Sequence, residues 1–421
     1  MRRTPIRAIG AAFAIGTAGL IALAPATAMQ DEKPKKEKKG KAEAPAKMQL
    51  TPAVQKNLVV IQEALKTGDM ATASAKINET QPLLQTADDK YLLARFRLQV
   101  AETQNDDAGR AVAMDALLDS GKLDAKDQAV ILRNQGVIAF NKRDFPKAVG
   151  AFNRLAELQP TAENHVLVAQ TNAAAGNTTA ALAAVDKAFA AQTAAGKPVP
   201  EDWYKMGLKY AYDAKLKPET LKYAQAYVTA YPSKTGWRDA LTIYRNDNPL
   251  DDEQGLDVWR LARAADALQG ERDFFDYAQV ANDRGLPGEA DAVISYGFST
   301  KMVAPTSKPL SQLKAVAAPK VAADKASLAA SEKGALAAPT GQRAFSTANA
   351  YLSYGEYAKA EALYTAALSK GGVDADTANT RIGIAQAMQN KKAEALASFA
   401  KVNGVRKPIA QYWTIFVNQK A

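Results

Sequence analysis

The stretch DFPKAVGAFNRLAELQP, residues 144–160, decides the fold class of this protein. Its apolar residues recur at helical spacing, and a small residue, Ala148, stands four positions before an aromatic one, Phe152. Gly136 lies 12 residues before Ala148 and 24 before Pro160. Small residues let two helices approach closely, a large residue fills the remaining gap, and proline ends the second helix. The spacing therefore predicts a tightly packed helix pair over residues 129–162.

The same pattern of small and aromatic residues returns elsewhere in the chain. Gly383 lies 35 residues after Ala348, which occupies the equivalent position of the preceding unit. No segment of useful length alternates between apolar and polar residues with period two, so we expect almost no strand. The recurring residues outside 129–162 are Trp203, Met206, Gly207 and Tyr210, then Gly355, Tyr357, Ala360 and Tyr364, and finally Gly383, Ala395 and Phe399.

These units resemble the tetratricopeptide-repeat family, whose repeat is a helix–turn–helix of about 34 residues with the pattern W-x2-L-G-x2-Y, A-x3-F and P. Residues 129–162 resemble one complete repeat, although Ala139 stands where tyrosine is usual. The resemblance covers most of residues 51–421, with degenerate units at 51–128 and 236–342. It implies an all-α protein, a right-handed α-solenoid of antiparallel helix pairs.

The N-terminal segment has the layout of a secretory signal peptide. Arg2, Arg3 and Arg7 precede an apolar run, which ends in Ala26-Thr27-Ala28. We therefore expect a signal peptide over 1–28, cleaved after Ala28, in an exported bacterial protein of the periplasm. An uncleaved membrane anchor is the alternative, and the sequence leaves open whether export uses the Sec or the Tat route. No later segment is long and apolar enough to span a bilayer.

The formal net charge of +10 is concentrated near the N-terminus. The signal carries three of these charges, and residues 31–47, with seven lysines against four acids, carry three more, which leaves +4 for the remainder. We therefore expect residues 29–50 to form a disordered Lys-rich tether and expect no nucleic-acid partner. Weak contact of this tether with anionic surfaces is the alternative to a solvated spacer.

The rest of the chain divides into three predicted segments. Residues 51–301 form a tetratricopeptide-like array, 302–342 a degenerate helix pair or a linker, and 343–421 a C-terminal pair. We expect Thr51-Pro52 to start the first helix, and Asp251, Asp252 and Glu253 to cap another. Whether 302–342 interrupts the solenoid stays open.

The residues that catalysis would require are scarce. The chain has no cysteine and a single histidine, His165, so a multi-histidine or thiolate metal site is excluded. No phosphate-binding glycine loop and no nucleophile elbow is present. We therefore expect a protein that is not an enzyme and that uses no cofactor and no metal.

The resemblance implies recognition of a protein or peptide on the concave face lined by first helices. That face should include Val130, Arg133, Asn134, Val137 and Tyr204. Some relatives hold a peptide C-terminus with a set of Lys and Asn residues; Arg133 occupies one such position, but Val137 replaces an Asn. The predicted function is an envelope scaffold for protein–protein or protein–peptide interaction.

The alternative function is association with carbohydrate or peptidoglycan. It would use the Lys-rich tether and an aromatic band between residues 203 and 244. Core packing explains Trp203, Tyr210 and Tyr227, whereas Tyr204 and Tyr212 are the candidates for exposed rings. The band consists of Trp203, Tyr204, Tyr210, Tyr212, Tyr223, Tyr227, Tyr231, Trp237 and Tyr244.

Overall fold

A computed structural model describes residues 48–420 of the chain. The predicted signal peptide and residues 29–47 of the predicted tether lie outside these described residues. The described residues form 20 α-helices and no strand, as the sequence predicts. No helix among them is long and apolar enough to cross a membrane.

The helices follow one another with short connections, and they belong to one compact unit, Leu50–Ala421. Short 3-10 helices lie at Gln81–Leu83 and Gly404–Arg406. The α-helices are α1 (Pro52–Thr67), α2 (Met70–Thr80), α3 (Ala87–Thr103), α4 (Asp107–Asp119), α5 (Ala125–Asn141), α6 (Phe145–Leu158), α7 (Ala162–Ala174), α8 (Thr178–Ala194), α9 (Glu201–Asp213), α10 (Lys217–Ala230), α11 (Lys234–Asp247), α12 (Asp252–Ala264), α13 (Gly270–Asp283), α14 (Pro287–Ser299), α15 (Lys308–Ala337), α16 (Gln342–Ser353), α17 (Tyr357–Lys370), α18 (Ala375–Met388), α19 (Lys392–Phe399) and α20 (Lys407–Gln419).

The helix starts predicted from the sequence are present. Thr51 is the N-cap of α1 and Pro52 its first residue, where the missing N–H costs no hydrogen bond. Asp251 caps α12, and its side chain accepts a hydrogen bond from the Gln254 backbone N–H at 2.7 Å. Local capping chemistry therefore sets the start of α12, whereas the Thr51 hydroxyl makes no cap within α1 and donates to Asp89 on α3 at 2.6 Å.

The packing of small against aromatic residues is confirmed inside the helix pairs. A Cβ on Gly136 would lie 2.6 Å from the Phe152 ring, so α5 and α6 are in contact at that point. Two further pairs, Gly207 with the Tyr223 ring and Gly383 with the Phe399 ring, have the same spacing of 16 residues and the same close approach. A residue larger than glycine would force the two helices apart at each point.

Most of residues 302–342 form one long helix, α15, rather than the helix pair or linker expected from composition. Pro319 lies in the interior of α15. Pro319 and Ala315, whose carbonyl would receive the missing hydrogen bond, are both exposed, so water can satisfy that carbonyl. Buried Leu310 and Leu328 hold the two halves of α15 against the protein.

The C-terminal helix, α20, folds back onto the middle of the chain. The Trp413 indole N–H donates to the Asp257 carbonyl on α12 at 3.2 Å, and the Gln419 amide donates to the Val228 carbonyl on α10 at 2.6 Å. The Tyr412 ring lies 5.6 Å from the ring of Tyr244 on α11. Helix α20 thereby covers one face of α10, α11 and α12, which makes that face inaccessible to another protein.

Candidate partner-binding surface

Four of the five predicted site residues lie along one side of helix α5. Val130, Arg133, Asn134 and Val137 occupy positions i, i+3, i+4 and i+7, which share a helix face; we call them the α5 stripe. Arg133 and Asn134 are exposed, whereas the two valines are half-buried and Val137 packs against the core. The α5 stripe thus combines accessible polar groups with partly accessible apolar ones.

The side chain of Arg133 is held by α7, the first helix of the next helix pair. Its Nη2 donates to Asn164 Oδ1 on α7 at 2.6 Å. Asn164 is itself buried, and its amide nitrogen donates to the Gln159 carbonyl at 2.8 Å. A guanidinium carries five N–H donors, so the others stay available on an exposed, oriented side chain. Asn164 was missed by the sequence analysis, because only the packing of α7 beside α5 brings it to Arg133.

Tyr204, the fifth predicted site residue, is part of the packing between helices. Its ring centroid lies 4.6 Å from that of Phe189 on α8 and 5.8 Å from that of Tyr231, and it is half-buried rather than exposed. Burial, together with the nearby Tyr231, raises the pKa of Tyr204. Within the described chain, no hydrogen bond or ring contact joins Tyr204 to the α5 stripe.

The aromatic band offers no exposed ring. Tyr223, Tyr227, Trp237 and Tyr244 are buried, and the other five members are half-buried. Two of the tyrosine hydroxyl groups form hydrogen bonds inside the protein. Tyr227 donates to Glu201 Oε1 at 2.8 Å, and Tyr231 donates to the Val199 carbonyl at 2.6 Å. Tyr212, which we expected on the surface, is half-buried as well.

A buried cluster of charged side chains fastens the folded-back C-terminus. Asp257 on α12 accepts hydrogen bonds from Arg260 Nη1 at 2.8 Å, from Arg406 Nη1 at 2.7 Å and from Arg381 Nε at 3.3 Å. Burial by itself raises the pKa of Asp257, but the three arginines outweigh it and hold that pKa below its ordinary value. We call these four residues and Glu289, which accepts from Arg260 at 2.9 Å, the Asp257 cluster.

The Asp257 cluster has a structural role, because its charges are paired within the protein. One of its ion pairs could be recognised in the sequence, since Asp257 and Arg260 stand at i and i+3 inside the apolar run GLDVWRLARAADAL. The partners on α18 and before α20 could not be identified, since they lie more than 100 residues further along the chain.

The described residues contain no group of three or more His, Asp or Glu side chains that could hold a metal ion. His165 is half-buried on α7. Burial lowers the pKa of His165, and the positive charge of Lys187 lowers it further.

The close helix pairs and their small-to-aromatic contacts define an α-solenoid of tetratricopeptide-like pairs. No protein-family model matches the chain, and no curated protein matches it. A tetratricopeptide repeat protein from Parabacteroides merdae is 11% identical, with 80% of this chain and 100% of that chain covered and a TM-score of 0.27. The TPR2AB domain of yeast Sti1, in a pHSP90 complex, is 15% identical, with 69% and 99% covered and a TM-score of 0.24. Because these TM-scores are low, the repeat architecture rests on the contacts described above.

Proposed function

We propose that this protein is a non-enzymatic scaffold that binds a protein or peptide partner through the α5 stripe. The observation that carries the proposal is the Arg133 guanidinium, which Asn164 orients while its remaining N–H groups stay exposed. An oriented guanidinium loses less conformational entropy on binding a carboxylate or a backbone carbonyl than a free one does. Arg133 is therefore the proposed anchor of the partner.

The surroundings of Arg133 support this role. Asn134 is exposed beside it and can both donate to and accept from a peptide backbone. Val130 and Val137 add apolar contact one turn to either side. Tyr204 lies on α9, the first helix of a later pair. We propose that it borders the binding surface and does not form its centre, because its ring packs against Phe189.

We further propose that the scaffold works in the periplasm. The support is the N-terminal sequence alone, in which a basic start, an apolar run and Ala26-Thr27-Ala28 precede the Lys-rich tether. Mass spectrometry of the mature protein should find an N-terminus at Met29. A full-length chain in the membrane fraction would contradict the periplasmic location.

The binding proposal is tested by comparing two charge reversals in one repeat. Arg133→Glu should abolish retention of the partners that wild-type protein recovers from an envelope extract, because it places an acid where a partner acid or carbonyl binds. Arg154→Glu on α6, an exposed arginine with no partner in the described chain, is the matched control and should retain them. Arg154→Glu should unfold at the wild-type urea midpoint, whereas Arg133→Glu should unfold at a lower one, because the buried Asn164 loses its donor. Circular dichroism should show that both variants are fully folded under the binding conditions.

Two results would count against the proposal. Equal recovery of the same partners by Arg133→Glu and wild type would remove the α5 stripe as the binding surface. Sedimentation of wild type and Arg133→Glu alike with purified cell wall, with no protein partner recovered, would favour the carbohydrate-binding alternative.

A further inference from the structure

The sequence contains a single Asn-Gly dipeptide, Asn403-Gly404, in the short connection between α19 and the folded-back helix α20. Both residues are exposed, and the next residue, Val405, is 74% exposed. The dipeptide shares no residue with the α5 stripe. Water and base therefore reach this part of the backbone, as they do at other exposed loop tips.

Gly404 leaves its backbone nitrogen open to the side chain of Asn403. A bond between that nitrogen and Asn403 Cγ closes a five-membered ring, and glycine has no Cβ to obstruct the approach. Gly404 has a φ of 55°, in the left-handed region that favours glycine. Within residues 48–420, no hydrogen bond holds the Gly404 N–H. The nitrogen is therefore accessible as a nucleophile once it loses its proton.

The side chain of Asn403 is held less firmly than its backbone. Asn403 Nδ2 donates to the Lys401 carbonyl at 3.0 Å, at an exposed position where water can replace this hydrogen bond. The backbone N–H of Asn403 donates to Asp376 Oδ1 on α18 at 2.9 Å and ties the connection to that helix. The side-chain amide can therefore turn toward Gly404 while the backbone keeps its place.

We propose that Asn403 is a site of spontaneous deamidation, which loosens the attachment of α20. The Gly404 nitrogen gives its proton to hydroxide and attacks Asn403 Cγ. The Cγ–Nδ2 bond breaks, and Nδ2 leaves as ammonia after taking a proton from water, which restores the hydroxide. Water then opens the cyclic imide at one of its two carbonyl carbons and gives aspartate or isoaspartate. The whole reaction is a hydrolysis and requires neither an oxidant nor a reductant.

The modification acts on α20 through Arg406, which stands three residues after Asn403. Arg406 is buried, and its Nη1 donates to Asp257 at 2.7 Å. Isoaspartate adds one carbon atom to the main chain between the Asp376 contact and Arg406. Both products also place a carboxylate near that of Asp376, and like charges at short distance repel. The deamidated chain should therefore hold α20 less firmly.

The experiment follows the purified protein by peptide mass spectrometry during incubation at mildly alkaline pH. Conversion of amide to acid should occur in the tryptic peptide 402–406, which should separate into an aspartate and an isoaspartate form. Asn105 and Asn390 are internal controls, because both are exposed turn residues with positive φ, 53° and 60°, but are followed by residues larger than glycine. We expect Asn403 to convert at least tenfold faster than either control.

Two variants separate the reaction from its effect on folding. Asn403→Gln keeps the amide but would need a six-membered ring, so it should not convert on the same time scale. Gly404→Ala should convert more slowly than wild type, and it is compared only with its own fresh sample because alanine is strained at this φ. In urea, with fluorescence from buried Trp413 on α20 as the readout, incubated wild type should unfold at a lower midpoint than fresh wild type. Asn403→Gln should keep its midpoint.

Each contrary result overturns the proposal. If the free peptide Val-Asn-Gly-Val-Arg converts and the protein does not, the fold protects Asn403. Equal conversion rates at Asn403, Asn105 and Asn390 would show that Gly404 gives no access to the amide. An unchanged urea midpoint in fully converted protein would show that the modification does not reach α20.

Discussion

Asp257→Asn should release the folded-back C-terminal helix. The substitution keeps the size of the side chain but removes the negative charge that Arg260, Arg381 and Arg406 share. Arg260 keeps Glu289, at 2.7 Å. Arg381 and Arg406 are left with Glu253 as their carboxylate, and its oxygen lies 3.7 and 3.8 Å away.

The magnitude follows from these contacts. Removing one partner of a buried ion pair costs about 3–5 kcal/mol, because the other charge remains desolvated. Two arginines lose their nearest carboxylate here, although Arg381 still donates to Asn349 at 2.8 Å. We therefore expect the free energy of unfolding to fall by about 3–5 kcal/mol, a large part of the 5–15 kcal/mol that is common for folded domains.

The measurement is urea unfolding followed by tryptophan fluorescence. Trp413 on α20 and Trp259 on α12 are buried beside the Asp257 cluster, so both report on the loss of this contact. Asp252→Asn, on the exposed first turn of the same helix, is the matched control and should cost about 0.3–1 kcal/mol. Similar midpoints for the two variants would refute the reasoning. Hydrogen exchange should also show α20 losing protection before the helices α5 to α8.

Two further predictions concern packing and pH. Gly136→Ala should destabilise the protein by about 1–3 kcal/mol, because the added methyl group meets the Phe152 ring. The control, Gly150→Ala at an exposed position of α6, should stabilise the protein by up to about 1 kcal/mol. Equal urea midpoints for the two variants would refute the contact. Burial raises the pKa of Asp89, but hydrogen bonds from Thr51, Thr86 and Gln85 outweigh it and lower the pKa to about 2. Because this folded value lies below that of an unfolded aspartate, about 3.9, Asp89 should stabilise the protein at higher pH and lose that effect as the pH falls from about 4 to 2. Thermal unfolding midpoints of Asp89→Asn should therefore fall less over this range than those of wild type, and parallel curves would contradict the assignment.

Local features of this protein could be read from the sequence because they depend on residues close together in the chain. The contact of Gly136 with Phe152 spans 16 residues, and the cap at Asp251 involves only the first turn of its helix. A helix pair of this kind is specified by side-chain size at fixed helical positions. The repeat architecture followed from that.

The candidate surfaces depended much more on tertiary structure. The α5 stripe could be placed on one helix face by spacing alone, but its partner Asn164 belongs to another helix pair. Tyr204 was expected to be exposed, and only the approach of Phe189 and Tyr231 decides that its ring is half-buried. Helical spacing tells which residues share a face, and it does not tell what covers that face.

The longest contacts could be decided only by the folded chain. Asp257 and Arg406 are 149 residues apart, and nothing in the local pattern of either residue selects the other. The return of α20 onto α10, α11 and α12 depends on the summed rotations of all the intervening helix pairs, to which each small packing choice contributes. The same sum determines which faces stay open. Side-chain size and spacing along the chain therefore specify the repeating unit, whereas the packing of distant helices specifies the accessible surfaces.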